Sequence, residues 1–223
     1  VKQRLGEIGE ELKTVLSGGT LDALLPPILF AILNGIWGLE IAVIVALGLA
    51  LILAAARLFR GEAWQYALGG VLMVALAAGL ALLTRRAASF YIPAMVTTGL
   101  LVLLSLISLI AGKPLAAWAS HLTRGWPLAW FWREDVKPAY REVTLAWMAF
   151  FTLQLVLQLR LYLRGDAAAL AWANILLGWP VTVVVLVLSY LYGVWRLRKL
   201  EGPGVDEFKD EKDPPWDGQT RGF

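Results

Sequence analysis

Asp22-Ala23-Leu24-Leu25-Pro26-Pro27-Ile28-Leu29-Phe30, carried on without a charge to Gly38-Leu39-Glu40, is the stretch on which the reading of this chain turns. The run from 23 to 39 holds no Asp, Glu, Lys or Arg, and its length meets the minimum of about 17 residues for a bilayer-spanning helix. Five further charge-free runs follow, at 41–56, 63–84, 87–112, 143–159 and 167–195. Soluble domains average about 25% charged residues. Here 17% of 223 residues are charged, 59% are hydrophobic and the mean hydropathy is +0.66. Pattern and composition together predict an all-α polytopic membrane helix bundle of six spans.

Around these runs the chain divides into three parts: residues 1–20, an amphipathic surface helix with a linker; 21–197, the six-span domain; and 198–223, an acid-rich tail expected to be flexible and solvated. In the first part Leu5, Ile8, Leu12 and Val15 share one side of a helix, and Ser17-Gly18-Gly19-Thr20 ends it. With no cleavable leader read ahead of it, the first span is expected to act as its own insertion signal. Pro26 and Pro27 are read as helix breaks near the start of span one. Pro180 is read as a break within span six, freeing the Leu176 carbonyl for either a tolerated kink or the wall of a cavity. Span two carries Ala42, Ala46, Ala50 and Ala54 at every fourth position, a small-residue stripe that lets a second helix approach closely.

Charge sets the orientation. With the N-terminus cytoplasmic, sixteen Lys and Arg fall inside and four outside, which favours six spans with both termini in the cytoplasm. Residues 113–142 interleave Lys113 and Pro114 with Trp118, Trp126, Trp130 and Trp132, and this loop is expected to lie at the membrane surface. Basic and indole groups together point to anionic lipid as a partner, not to nucleic acid. Three plus three spans also allow an inverted repeat. Arg57-Leu58-Phe59-Arg60-Gly61-Glu62 is similar to Arg160-Leu161-Tyr162-Leu163-Arg164-Gly165-Asp166, although arginine, glycine and aromatics gather at membrane edges in any such protein.

The chain has no cysteine, which excludes disulfides, iron–sulfur centres and a thiol nucleophile. His121 stands alone without a ligand-spaced acid and is read as a surface residue. No nucleophile with a base, no paired carboxylates and no metal motif are found, so neither catalysis nor a cofactor is expected. The polar residues inside or beside the spans are Asp22, Asn34, Glu40, Gln154, Gln158 and Asn174. Asp22 is read as an N-cap at the positive helix end, or else as a cation or proton site. Glu40 belongs to a tight outer turn. Gln154 and Gln158 lie one turn apart, with Asn34 and Asn174 as candidate partners. Converging, these groups would form the mid-membrane site of a small-solute or lipid transporter; paired off, they are packing glue.

With these residues in view, Leu25-Pro26 followed by Phe30, the hairpin Gly38-Leu39-Glu40-Ile41-Ala42, Lys113-Pro114-Leu115 and Leu145-Ala146-Trp147 resemble the intracellular septation protein A family of bacterial inner-membrane proteins. Gly19-Thr20-Leu21-Asp22 through Pro26, the Lys113-Pro114-Leu115 turn and Leu176-Leu177-Gly178-Trp179-Pro180 are more similar to a largely actinobacterial family defined as a domain of unknown function. The first resemblance implies a non-enzymatic accessory of envelope synthesis and septation, or a subunit of a larger assembly. Its expected partners are membrane lipids and other membrane proteins or a second copy.

Overall fold

A computed structural model describes residues 19–219 and 222–223, without the side chains of residues 19–24 and Trp179. The surface helix read over residues 1–16 lies outside the described residues. Those described form helices and no strand: α1 (Gly19–Trp37), α2 (Leu39–Phe59), α3 (Trp64–Thr84), a 3-10 turn (Ala87–Tyr91), α4 (Ile92–Ile110), α5 (Leu115–Arg124), α6 (Leu128–Phe131), α7 (Lys137–Arg164), α8 (Ala167–Leu177), α9 (Trp179–Lys199) and α10 (Val205–Lys209). Among the described residues five stretches are long and apolar enough to cross a membrane: Leu39–Phe59, Trp64–Thr84, Ala87–Ile110, Lys137–Arg164 and Ala167–Lys199. Leu25–Trp37 is a shorter apolar helix. These are the lengths and compositions of a multi-pass membrane protein.

The chain divides into two compact units, Val1–Val96 with Val156–Pro180, and Thr97–Leu155 with Val181–Phe223. In the first, α1 and α2 form a hairpin closed by Gly38 alone, at φ 84° and ψ 178°. That conformation is open essentially to glycine. Glu40 follows, exposed in the first turn of α2. The alanine stripe behaves as its spacing predicts, with Ala42, Ala46, Ala50 and Ala54 all buried. On α3 a second set, Ala67, Ala77, Ala78 and Ala81, is buried as well. Phe30 anchors the core of this unit, stacked on Phe90 at 3.9 Å between ring centroids and meeting Tyr91 edge-on.

Two expectations about proline meet different outcomes. α1 continues through Pro26 and Pro27 with no break, and the Tyr91 hydroxyl donates to the Pro27 carbonyl oxygen at 3.3 Å. A helix does end near Pro180, but the interruption is Gly178, which separates α8 from α9. A Cβ at Gly178 would overlap the Asn174 carbonyl. Pro180 is the second residue of α9, in the first turn, where a missing N–H leaves no helical bond unmade.

The second unit is built on aromatic rings. Trp130 and Phe131 of α6 are buried with Tyr140 of α7, and Phe223 stacks on Tyr140 at 4.2 Å. Within α7 and α9, Glu142 takes a forked pair of bonds from Arg196, at 2.9 and 3.0 Å, and a third from the Tyr192 hydroxyl at 2.6 Å. Of the described residues after Arg198, a segment read from composition as a solvated tail, 202–205, 219, 222 and 223 are buried and 209–215 are exposed. The Trp130 indole N–H donates to the Pro203 carbonyl oxygen at 2.9 Å, and Arg124 Nε donates to that of Phe223 at 3.1 Å. Glu207 gathers the backbone N–H groups of Gly204, Asp217 and Gly218 at 2.7, 2.8 and 3.1 Å. These bonds, that from Gly204 foremost, hold its carboxyl below the usual glutamate range.

Two expectations can be measured. Gly38→Ala meets open space, since nothing lies within 4 Å of the added Cβ, so its cost is backbone strain alone: about 1 to 3 kcal/mol in unfolding from mild detergent. A change near zero would contradict the turn geometry. For Glu207 the folded-state pKa is depressed, so its contribution is present above the ordinary glutamate pKa of about 4.3 and is lost as pH falls through the lower folded value. Amide protection across 203–219, taken as the exchange rate relative to the intrinsic rate at each pH, should therefore fall under acid in the native chain, while Glu207→Gln should be less protected already at neutral pH and show little added acid response.

Candidate functional site

A cavity of about 400 Å³ lies within the first unit. Its walls follow helical periodicity. α2 contributes Ala50, Leu53, Ala54 and Arg57, spaced by three, one and three residues and so on one face. α3 faces it with Tyr66, Ala67, Gly70, Met73, Val74 and Ala77, α1 adds Pro26 and Pro27, and the 3-10 turn and start of α4 add Phe90, Tyr91, Pro93 and Ala94. Many of the residues lining it are short. At Gly69 and Gly70 an added Cβ would meet nothing within 4 Å, and alanine and proline project too little to reach across.

The chemistry of the walls is uneven. Nearly all groups are apolar, and Arg57, half-buried in the last turn of α2, is the charged residue among them. Tyr91 is buried with its hydroxyl engaged by Pro27, whereas Tyr66 is 70% exposed at the start of α3. Such a surface suits a ligand with a long apolar part and a small polar end. It offers no acid–base pair, and among the described residues no group of three or more His, Asp or Glu side chains gathers to hold a metal ion.

Asn34, Glu40, Gln154, Gln158 and Asn174, singled out in the sequence, are not among these walls. Gln158, 1% exposed, donates from Nε2 to Asn174 Oδ1 at 2.9 Å, and Asn174 Nδ2 donates to the Leu170 carbonyl oxygen at 2.8 Å. The pair thus ties α7 to α8 within the first unit. Gln158 Oε1 is buried and has no partner among the described residues. Asn34 is half-buried on α1, Glu40 is exposed, and Gln154 is buried in the second unit. Asp22 falls in α1, its side chain outside those described.

The tryptophan loop is folded into α5 and α6. Pro114 caps α5 and is fully buried, Lys113 is exposed with Nζ 5.9 Å from the Trp132 ring, and Trp118, Trp126 and Trp132 are half-buried. Trp130 departs from the expected headgroup position, being wholly enclosed by protein. His121 is also engaged: Nδ1 lies 2.7 Å from the Trp126 carbonyl oxygen, and since a carbonyl only accepts, Nδ1 carries the proton.

Arg57, Tyr66 and Tyr91 did not stand out in the sequence as site residues. The available signal was the three-one-three spacing of Ala50, Leu53, Ala54 and Arg57, which puts a cation in line with a small-residue face. A family described as a protein of unknown function, DUF3159, matches residues 17–199, a range that contains every residue of the cavity. No curated protein and no solved structure matches the chain.

The amide pair supports a double-mutant cycle. Gln158→Leu or Asn174→Leu alone leaves a buried amide with one partner fewer, at a cost of about 0.6 to 2 kcal/mol in detergent unfolding. The double substitution removes both polar groups and should cost less than the two singles summed. Strict additivity would show that the bond carries no coupling.

Proposed function

The chain belongs to the DUF3159 family, a protein family of unknown function, and from that premise and the cavity's geometry we propose a non-enzymatic, six-span protein of the bacterial inner membrane that serves the envelope by holding a membrane amphiphile in its first unit. The observation that carries this reading is the cavity itself: about 400 Å³, walled by apolar residues from α1 to α4, with one guanidinium on its rim. Ligand pockets fall between about 300 and 1,000 Å³ and are mostly apolar with a few placed polar groups. The bias of basic residues supports six spans with both termini cytoplasmic, α1 being the sixth.

A transport path for a polar solute would need polar groups lining water, and here the strongest candidates, Gln158 and Asn174, bond to one another. Their arrangement is that of helix-to-helix packing. The break at Gly178 is the feature a transporter would share. An envelope or septation accessory needs only to bind lipid and neighbouring proteins, and exposed apolar side chains such as Ile36, Ile44, Phe59 and Leu72 offer surfaces for both.

The experiment fills the cavity. Gly70→Leu places its side chain in open space and replaces glycine in a helix interior, worth roughly 0.8 to 1 kcal/mol in propensity, so the variant should fold at least as well as the parent. Native mass spectrometry of the chain released from mild detergent is expected to show about one retained lipid per chain, with occupancy in Gly70→Leu lower by about tenfold. Equal lipid retention by parent and variant would contradict the proposal.

A further inference from the structure

We infer that the amphiphile is a phosphate-bearing lipid of the cytoplasmic leaflet, standing with its head on Arg57 and an acyl chain along α3; this rests on the reading of the cavity as a lipid site. The length of the trough matches one acyl chain. Along α3 the wall runs from Tyr66 to Ala77, about 16 Å at ~1.5 Å per residue. That is roughly half of a ~30 Å hydrocarbon core, the depth of one leaflet. A small solute would not need such a trough, and a molecule spanning both leaflets would not fit it.

The polarity sits at one end of the trough. Arg57 closes α2 and Tyr66 opens α3, so both lie at the same end of the trough, with Trp64 in the first turn of α3 beside them. In the six-span orientation that end is cytoplasmic, and arginine with tryptophan is the pattern of a headgroup level. Charge completes the match. A guanidinium against apolar walls is stabilised by a desolvated anion, and its planar fork matches two phosphate oxygens. Its five N–H donors suffice for a partner within the protein and for a phosphate together. Arg60, one turn on, is directed otherwise: its Nε donates to the Ala56 carbonyl oxygen at 3.3 Å and lies 3.8 Å from Glu62. Arg57 is therefore the residue placed to select the head, and the trough selects the chain.

The test titrates delipidated full-length protein, in a neutral detergent, with a phosphatidylglycerol, the diacylglycerol of the same chains, and oleate, read by native mass spectrometry. The parent should take phosphatidylglycerol at least about tenfold more tightly than diacylglycerol or oleate. Arg57→Gln should weaken phosphatidylglycerol most, oleate less and diacylglycerol not at all, and narrow the preference over diacylglycerol to about threefold or less, with Arg57→Lys, which keeps charge but loses the fork, between the two. Should Arg57→Gln not fold, Arg57→Lys carries the comparison. A parent that binds diacylglycerol or oleate as tightly as phosphatidylglycerol, or a preference that neither substitution changes, overturns the headgroup assignment and leaves the lipid cavity standing. Diacylglycerol binding that persists unchanged in Gly70→Leu removes the cavity reading itself.

Discussion

The first unit depends on the close approach of α2 and α3 through small side chains. In a lipid environment helices gain little from hiding apolar surface, because lipid is equally apolar, so association rests on packing and on backbones that can come near one another. Ala42 and Ala46 on α2, and Ala77, Ala78 and Ala81 on α3, lie together in the buried core with Phe30 and Phe90. The rings of Phe30 and Phe90, stacked at an interplanar angle of 10°, bring α1 and the start of α4 to the same core. Farther along both helices the residues remain small, at Ala50, Ala54, Gly69 and Gly70, and the gap between them stays open, with Tyr66, Phe90 and Tyr91 among its walls. The seam and the cavity share one cause, the small residues that α2 and α3 turn toward one another.

The second unit solves its packing differently. Trp130, Phe131, Tyr140 and Phe223 supply bulk, and polar contacts hold the covering segment in place. Burying an indole requires a partner for its N–H, and Pro203 provides the acceptor at a sequence separation of 73 residues. Gly193 admits the Phe223 ring, which an added Cβ would meet. Glu207 arranges the backbone around α10 by accepting three N–H groups. Acidic composition over 198–223 thus coexists with local order, because a carboxylate that accepts backbone N–H groups acts as a structural group as well as a solvated one.

Much of the fold was legible in the sequence because the relevant signals are local. Charge-free runs mark the apolar helices, the four-residue period of Ala42 to Ala54 marks a buried face, and Gly38 before Glu40 marks a one-residue turn. The candidate site was far less legible. A cavity is a deficit of volume spread over several helices, and no single helix reveals that its neighbours also carry small residues. Polar residues attract notice in a span, so Gln158 and Asn174 stood out, yet their bond to each other makes them packing. Arg57 looked like an ordinary helix end. The inward turn of Trp130 and the passage of α1 through Pro26 and Pro27 were hidden for a similar reason, since both depend on tertiary surroundings that residue type does not encode.

The central claim is that an acyl chain lies inside the first unit along α3, and a lipid bearing a photoreactive group at its chain end tests it most directly in intact membranes. Insertion sites mapped by peptide mass spectrometry should concentrate at Met73, Val74 and Ala77, which line the cavity. Labelling confined to Leu72 and Leu76, 67% and 54% exposed on the same helix, would contradict the account and leave those surfaces as ordinary contacts with bulk lipid.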